Sequence, residues 1–374
     1  MKAEKKPVAL LDLNFDELSS LFQSWGEPAY RAKQVWARLY QGLAASFDEM
    51  SELPKSLRQR LAQETVLGQL TSRIEQRSSD RQTRKVLFAL PDGAQVETVL
   101  MGYERRRTTC ISTQAGCGMG CSFCATGQGG LQRNLTSGEI VEQVLYFAHE
   151  LKAGSQKSEV RSQKRGRQSP TSDPRPPISE LTNIVLMGMG EPFANYDPVM
   201  AAVRRLNDSS GFNFGARRMT VSTVGLVPGI KKLAVENIQI NLAVSLHAAT
   251  DDLRSKLVPI NKQYPLSTLL PAVREYITQT HRRVSFEWAL IEGVNDTPEQ
   301  ARALAALLKG MLCHVNLIPL NPTSGYPGAA STRERIAAFR SVLESAGIAN
   351  TLRLRRGIDI QAGCGQLRQR VRDK

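Results

Sequence analysis

No apolar run in this 374-residue chain approaches the roughly 18 residues that cross a bilayer, which argues against a membrane helix. The stretch from Met1 to Leu13 carries charge beside an apolar segment too short for a secretory leader. The six cysteines are clustered rather than spread at the even spacing of a disulfide framework. A reducing, cytoplasmic compartment is therefore expected, with the cysteines used as ligands or in redox chemistry. Acidic residues are also short, at 35 against 49 basic ones, which leaves a net charge of +14. That excess is not needed for folding and favours phosphate-rich partners, although a charge run alone is usually a solvated face. With 41% hydrophobic and 22% charged residues, the chain has the balance of a globular protein rather than a disordered one.

Periodicity divides the chain. Up to about Glu64 it reads as helical, through Glu17–Phe22, Ala29–Tyr40 and a pattern from Phe47 to Leu61 interrupted by Pro54. This predicts a small helical accessory domain over residues 1–80 that carries Arg31, Lys33, Lys55 and Arg58. A strand pair, Lys85–Leu90 and Gln95–Met101, joined at Pro91–Gly93, forms a hairpin leading into the core over 81–107. From Thr108 onward β-branched or apolar runs alternate with helical stretches. The runs are Thr108–Thr113, Asn183–Met187, Met219–Ser222, Ile240–Ser245, Val284–Ile291 and His314–Leu320. About six strand–helix units are too few for a closed eight-unit barrel, so the expected class is α/β, an open partial barrel over 108–374. Ala153 to Pro177 is rich in Ser, Gln, Lys, Arg and Pro, and reads as a disordered basic insertion.

Cys117, Cys121 and Cys124 follow the first core strand in a glycine-rich C-x3-C-x2-C loop. Three closely spaced thiolates can wrap a cubic [4Fe–4S] cluster and leave one iron open to a small chelating molecule. Structural zinc is the competing reading, but it wants four ligands, and there is no second pair here. Polar and glycine residues stand at the ends of the later strands. They are Gly188 to Glu191, Ser222, Ser245 to His247, and Asn321. Such strand ends are where barrel folds place active sites. Singly, each has an ordinary structural explanation; their joint register with the cysteine loop is the informative feature.

The residues resemble the RlmN family of radical S-adenosylmethionine (SAM) RNA methyltransferases. The resemblance rests on Cys110–Gly127, Arg133–Leu135, Met187–Pro192, Val221–Thr223, Val244–Ala248, Gly293–Asp296, His314–Pro319 and Arg356–Gln366. These motifs run in order across nearly the whole chain, and only the basic insertion is foreign to them. The resemblance implies methylation of adenine C2, a carbon that is not nucleophilic. It implies one [4Fe–4S] cluster and two SAM molecules per turnover. Cys364 matches a methyl carrier, methylated by the first SAM. A 5′-deoxyadenosyl radical from the second SAM would activate that methyl group for addition to C2. Cys110 matches the residue that resolves the covalent enzyme–RNA adduct through a disulfide with Cys364. Glu97 matches a proton acceptor. SAM would contact Gly190, Glu191, Ser222, Ser245, Leu246, His247 and Asn321.

The implied substrates are an adenine of the peptidyl transferase centre of 23S rRNA and an adenine beside the anticodon of certain tRNAs, each presented out of the stack. The implied electron donor is of the flavodoxin and flavodoxin-reductase type, and the expected state is a monomer. Without the resemblance, Cys110 and Cys364 would read as small buried hydrophobes, although Gly363 and Gly365 suggest a mobile loop for Cys364. Glu97 would read as an ordinary strand residue, and Cys313 as buried in an apolar strand. The chain departs from the family pattern at Leu354, which interrupts its arginines. The sister enzyme Cfr, which methylates C8 of the same rRNA adenine, is the nearest rival. A non-catalytic RNA-binding protein with a structural metal site is the rival from another class.

Overall fold

The computed structural model describes residues 7–165 and 180–368. The N-terminal helices are α1 (Phe15–Ser24), α2 (Ala29–Ala37) and α3 (Lys55–Glu64). Asn14 starts α1 through a capping box with Glu17, satisfying donors that a helix start leaves open. Pro54 immediately precedes α3, so the proline that interrupts the sequence pattern marks a helix start. Two short strands, β1 (Val8–Ala9) and β2 (Thr65–Val66), pair in parallel and bracket this unit. Its apolar side, including Phe22, Val35, Trp36 and Leu57, is continuous with the main core.

A ten-stranded sheet dominates the rest. Its antiparallel part comprises β3 (Thr71–Arg77), β4 (Thr83–Ala89), β5 (Gln95–Tyr103) and β6 (Arg106–Cys110). The β4–β5 hairpin lies where the sequence places it, but β3 already belongs to this sheet, so the sheet begins ahead of residue 81. A separate pair, β7 (Gln114–Gly116) and β8 (Leu131–Asn134), encloses the cysteine loop and the short helix α4 (Ala125–Gln128). Helix α5 (Ser137–Arg165) crosses over to β9 (Asn183–Leu186), which pairs in parallel with β6. The basic segment expected to be disordered from Ala153 thus begins as helix up to Arg165, and residues 166–177 lie outside the described ones.

Parallel strand–helix units then repeat: α6 (Tyr196–Asn207), β10 (Met219–Thr223), α7 (Val227–Ala234) and β11 (Asn241–Ser245). They continue through α8 (Asp251–Leu257), α9 (Leu266–Thr280), β12 (Val284–Leu290), α10 (Pro298–Leu308), β13 (Cys313–Pro319), α11 (Arg333–Ser345) and β14 (Asn350–Leu352). The edge strands β14 and β3 do not pair with each other, so the sheet is open, as the unit count predicts. The three-residue β14 is too short to show any period in the sequence. Among the described residues no helix is long and apolar enough to cross a membrane.

Candidate active site

Glycine geometry shapes the cysteine loop. Gly116 has φ +81°, and a Cβ there would collide with the carbonyl oxygen of Gly130. A side chain would break the close crossing at which Cys117 N–H donates to that same carbonyl at 2.8 Å. The loop ends where Cys124 opens α4. Cys117 and Cys121 are buried and Cys124 is half-buried, all as free thiols. Burial pushes the Cys117 thiol up to about 12 and holds Cys121 well above its ordinary range, and the neighbouring cysteines add to both shifts. Ionising such a group calls for a compensating positive charge, which is what an iron centre provides.

Among the described residues no three His, Cys, Asp or Glu side chains converge on a single metal ion. A mononuclear zinc site would need sulfurs roughly 4 Å apart, from a Zn–S length of about 2.3 Å. A cubic cluster binds each cysteine to a different iron, so a wider set of three thiols suits it. Three cysteines on one loop are a donor set that fits an iron–sulfur cluster.

A cavity of about 230 Å³ brings distant segments together. Its lining includes Cys121 and Cys124 of the loop, Cys110 at the end of β6, and Cys364 near the C-terminus. Cys110 is buried, with its thiol pushed up to about 12 first by burial and then by the charge of Cys364. Cys364 is reached by solvent yet set deep in the concave wall, where burial and the charge of Glu287 push its thiol up to about 11. Both are free thiols, so the disulfide implied by the resemblance is not formed. The Cys364 loop is fastened to the cysteine loop. Ala125 N–H donates to the Gly365 carbonyl at 2.8 Å, and Thr126 Oγ1 donates to the Leu367 carbonyl at 2.5 Å.

The strand-end residues occupy the same cavity with one exception. Gly190, Glu191, Ser222, Ser245, His247 and Asn321 line it, whereas Leu246 is buried outside the lining. Gly190, at φ +106°, leaves no room for a Cβ beside Gln114. Glu191 accepts from the Phe193 and Val224 N–H groups, at 3.0 and 2.8 Å, yet burial still raises its pKa to about 7. His247 has φ +60°, and its Nδ1 accepts from Ala289 N–H at 3.0 Å, which leaves the proton on Nε2. Burial lowers its pKa to about 3, so the ring is neutral at pH 7. Asn321 Nδ2 donates to the Cys364 carbonyl at 3.1 Å, and Asn321 thereby holds the loop it faces.

Glu97 is not brought into this lining. It is buried on β5, paired with Lys85 Nζ at 2.9 Å, and accepts from Arg368 N–H at 2.9 Å. Met189 is likewise buried and outside the lining, with its sulfur accepting from Glu97 N–H at 3.3 Å. Cys313 is half-buried at the start of β13 and does not line the cavity, so its expected burial is incomplete.

Sequence reading overlooked two residues here. Arg254 is buried and donates to the carbonyls of Val224, Ser245 and Leu246, fixing the ends of β10 and β11. Glu287 stands in the cavity wall within an otherwise apolar strand, and that lone charge was the available signal. The cavity mouth is basic and partly apolar. Arg353, Arg355 and Arg356 line it, Leu354 is 72% exposed, and the Arg106 and Arg356 guanidinium groups lie 4.3 and 4.7 Å from the Tyr103 ring centroid. A larger groove of about 1180 Å³ separates the N-terminal unit from α6, but no cysteine lines it.

An open α/β sheet with a three-cysteine loop and glycine-rich strand ends facing one cavity defines a radical SAM enzyme. Residues 8–67 match the ribosomal RNA large subunit methyltransferase N-terminal domain. The chain is 53% identical over 364 residues to a probable dual-specificity RNA methyltransferase RlmN of Chloroflexus aurantiacus, covering 96% of this chain and 92% of that one. It is 48% identical over 362 residues to dual-specificity RNA methyltransferase RlmN 1 of Myxococcus xanthus, covering 97% and 94%. The crystal structure of a radical SAM methyltransferase from Sphaerobacter thermophilus superposes with a TM-score of 0.88 at 50% identity, over 97% of this chain and 99% of that one. The chain belongs to the RlmN family of radical SAM methyltransferases.

Proposed function

We propose that this protein methylates C2 of adenine in RNA, using Cys364 as the methyl carrier. The supporting observation is the convergence of Cys121, Cys124, Cys110 and Cys364 on one cavity from three separate parts of the chain. Cys117, Cys121 and Cys124 would hold the [4Fe–4S] cluster. When bound, that cluster supplies the one-electron reductive cleavage of SAM that starts radical chemistry. Gly190, Glu191, Ser222, Ser245, His247 and Asn321 would bind SAM in the cavity, with Leu246 supporting them from behind. Two SAM molecules serve each turnover, one to methylate Cys364 and one to activate the methyl group.

The Cys364 sulfur attacks the SAM methyl group as a thiolate. It later carries the activated carbon to C2, forming a covalent protein–RNA adduct. Cys110, which shares the cavity with Cys364, attacks the Cys364 sulfur. The sulfur–carbon bond breaks with its electron pair going to the RNA-bound carbon, which takes up a proton to become the methyl group, and the two cysteines are left as a disulfide. Glu97 is the proposed acceptor of the C2 proton, for which its carboxylate must give up both Lys85 and the Arg368 amide and turn into the cavity it does not line here. The two substrates we propose are an adenine of the 23S rRNA peptidyl transferase centre and one beside the anticodon of certain tRNAs. The relatives' name, dual-specificity RNA methyltransferase, supports two RNA substrates without identifying them. The basic mouth is suited to RNA phosphates, and its Tyr103 and Leu354 to bases. A flavodoxin-type reductant would supply electrons to a monomeric cytoplasmic enzyme. The domain division is the expected one with its first boundary moved forward, because β3 belongs to the main sheet. Residues up to about 67 form an RNA-binding accessory unit, the antiparallel strands from β3 to residue 107 the lead-in, and 108–374 the catalytic core.

Mass spectrometry of nuclease-digested RNA after reaction with the reconstituted enzyme tests the proposal. It should show 2-methyladenosine. Finding only 8-methyladenosine would transfer the chain to Cfr-type chemistry, and an iron-free protein that leaves SAM intact would make it a metal-stabilised RNA-binding protein.

A further inference from the structure

β12 is an apolar strand interrupted by one carboxylate. Val284, Phe286, Trp288 and Leu290 are buried along one face, where Trp288 packs on Phe339 of α11 with ring centroids 5.7 Å apart. The alternate face brings Glu287 and Ala289 into the wall of the cysteine cavity. Glu287 Oε1 accepts from Asn316 Nδ2 at 2.7 Å, and the Arg353 guanidinium lies 3.8 Å away. Glu287 Oε2 is buried and has no hydrogen-bond partner. The other acid in the cavity lining, Glu191, has both oxygens occupied by backbone N–H groups. A buried carboxylate oxygen without a donor is costly, so the natural donor is the molecule that fills the cavity. Glu287 and the methyl carrier Cys364 line the same cavity.

The geometry points to Glu287 as the residue that reads the exocyclic amino group of the base held against Cys364, its Oε2 accepting an N–H from that amine. The inference rests on the RNA-methylating reading above. Adenine presents an N6 amino donor where guanine presents an O6 acceptor. A carboxylate oxygen at that edge binds the first and repels the second, so one side chain selects the base as well as holding it. The same chemistry is available from the amino groups of SAM, and the experiment separates the two sources.

The cluster-loaded full chain is assayed on paired RNA oligonucleotides carrying adenine, or purine lacking the exocyclic amine, at the target position. A hydrogen bond to a charged group corresponds to a discrimination on the order of 10- to 100-fold in kcat/KM. Wild type should show that preference, Glu287→Met should reduce it to near parity, and Glu287→Gln, whose amide oxygen still accepts, should keep most of it. Equilibrium binding of the same oligonucleotides by fluorescence anisotropy should follow the same order without turnover. SAM affinity, measured without RNA, should be unchanged in both variants.

Equal preference in wild type and Glu287→Met overturns the inference, as does a loss of SAM affinity with the base preference intact. If Glu287→Met does not fold, the wild-type ratio still decides, because parity between adenine and purine means that no group reads the amine. Absence of methylation on any adenine would instead overturn the proposed reaction, while the binding comparison would still test Glu287.

Discussion

Lys85 and Glu97 form a buried ion pair, Nζ to Oε1 at 2.9 Å, with each side chain 2% exposed. The pair grips both ends of the segment that carries Cys364. Lys85 Nζ donates to the Gln361 carbonyl at 3.2 Å, and Glu97 Oε2 accepts from Arg368 N–H at 2.9 Å. Nearby, Ser79 N–H donates to Asp359, and Arg356 approaches Asp80. The antiparallel strands thus serve as the bed on which the C-terminal segment lies.

Removing one partner of a buried pair leaves an uncompensated charge and costs about 3 to 5 kcal/mol. Lys85→Met should lose stability on that scale in chemical denaturation. The double variant Lys85→Met/Glu97→Met should recover much of it. Amide exchange over residues 361–368 should nevertheless stay fast in the double variant, because its anchors are gone. Slow exchange there would show that the pair does not hold the loop.

Cys364→Ala should abolish RNA methylation while iron content and SAM binding stay at wild-type levels. Intact-protein mass spectrometry should find no methyl group on the variant. Normal turnover by it would refute the carrier role.

Cys110→Ala should separate the two halves of the reaction. The first methyl transfer to Cys364 should proceed, and a covalent protein–RNA adduct should accumulate because no thiol is placed to resolve it. Denaturing electrophoresis reads this directly: free methylated RNA without an adduct band would exclude Cys110 from resolution.

Thiol reactivity should follow the raised pKa values. A group whose pKa is raised to about 11 is almost wholly protonated at pH 7, and only its thiolate reacts. Iodoacetamide labelling of Cys364 in cluster-free protein should therefore rise about tenfold per pH unit from pH 7 toward 10. Cys110, pushed up to about 12 and buried, should label more slowly throughout. A labelling rate that is flat across this range would contradict the raised values.

The alternation of strands and helices was readable because each core strand is an apolar run and each crossover helix has a repeating apolar face. The six expected core strands, β6 and β9 to β13, were found within a few residues of their predicted limits. β1, β2 and β14 went unseen because two or three residues carry no period. Cys117, Cys121 and Cys124 were readable because their spacing is local. Glu97 illustrates the limit: alternation on a strand allowed a solvent-facing residue, whereas Lys85 of β4 and the C-terminal segment close over it.

By itself, then, the sequence determined what depends on neighbours in the chain: the helices, the strands, the cysteine loop and the glycine-rich strand ends. Tertiary structure alone decided which groups meet. Glu97 and Arg368 are 271 residues apart and share a hydrogen bond, and Cys110 and Cys364 share a cavity. No local period encodes such contacts. They arise because an open sheet aligns its strand ends around one hollow, and because the C-terminal segment finds its hydrogen-bond partners only once β4 and β5 have paired.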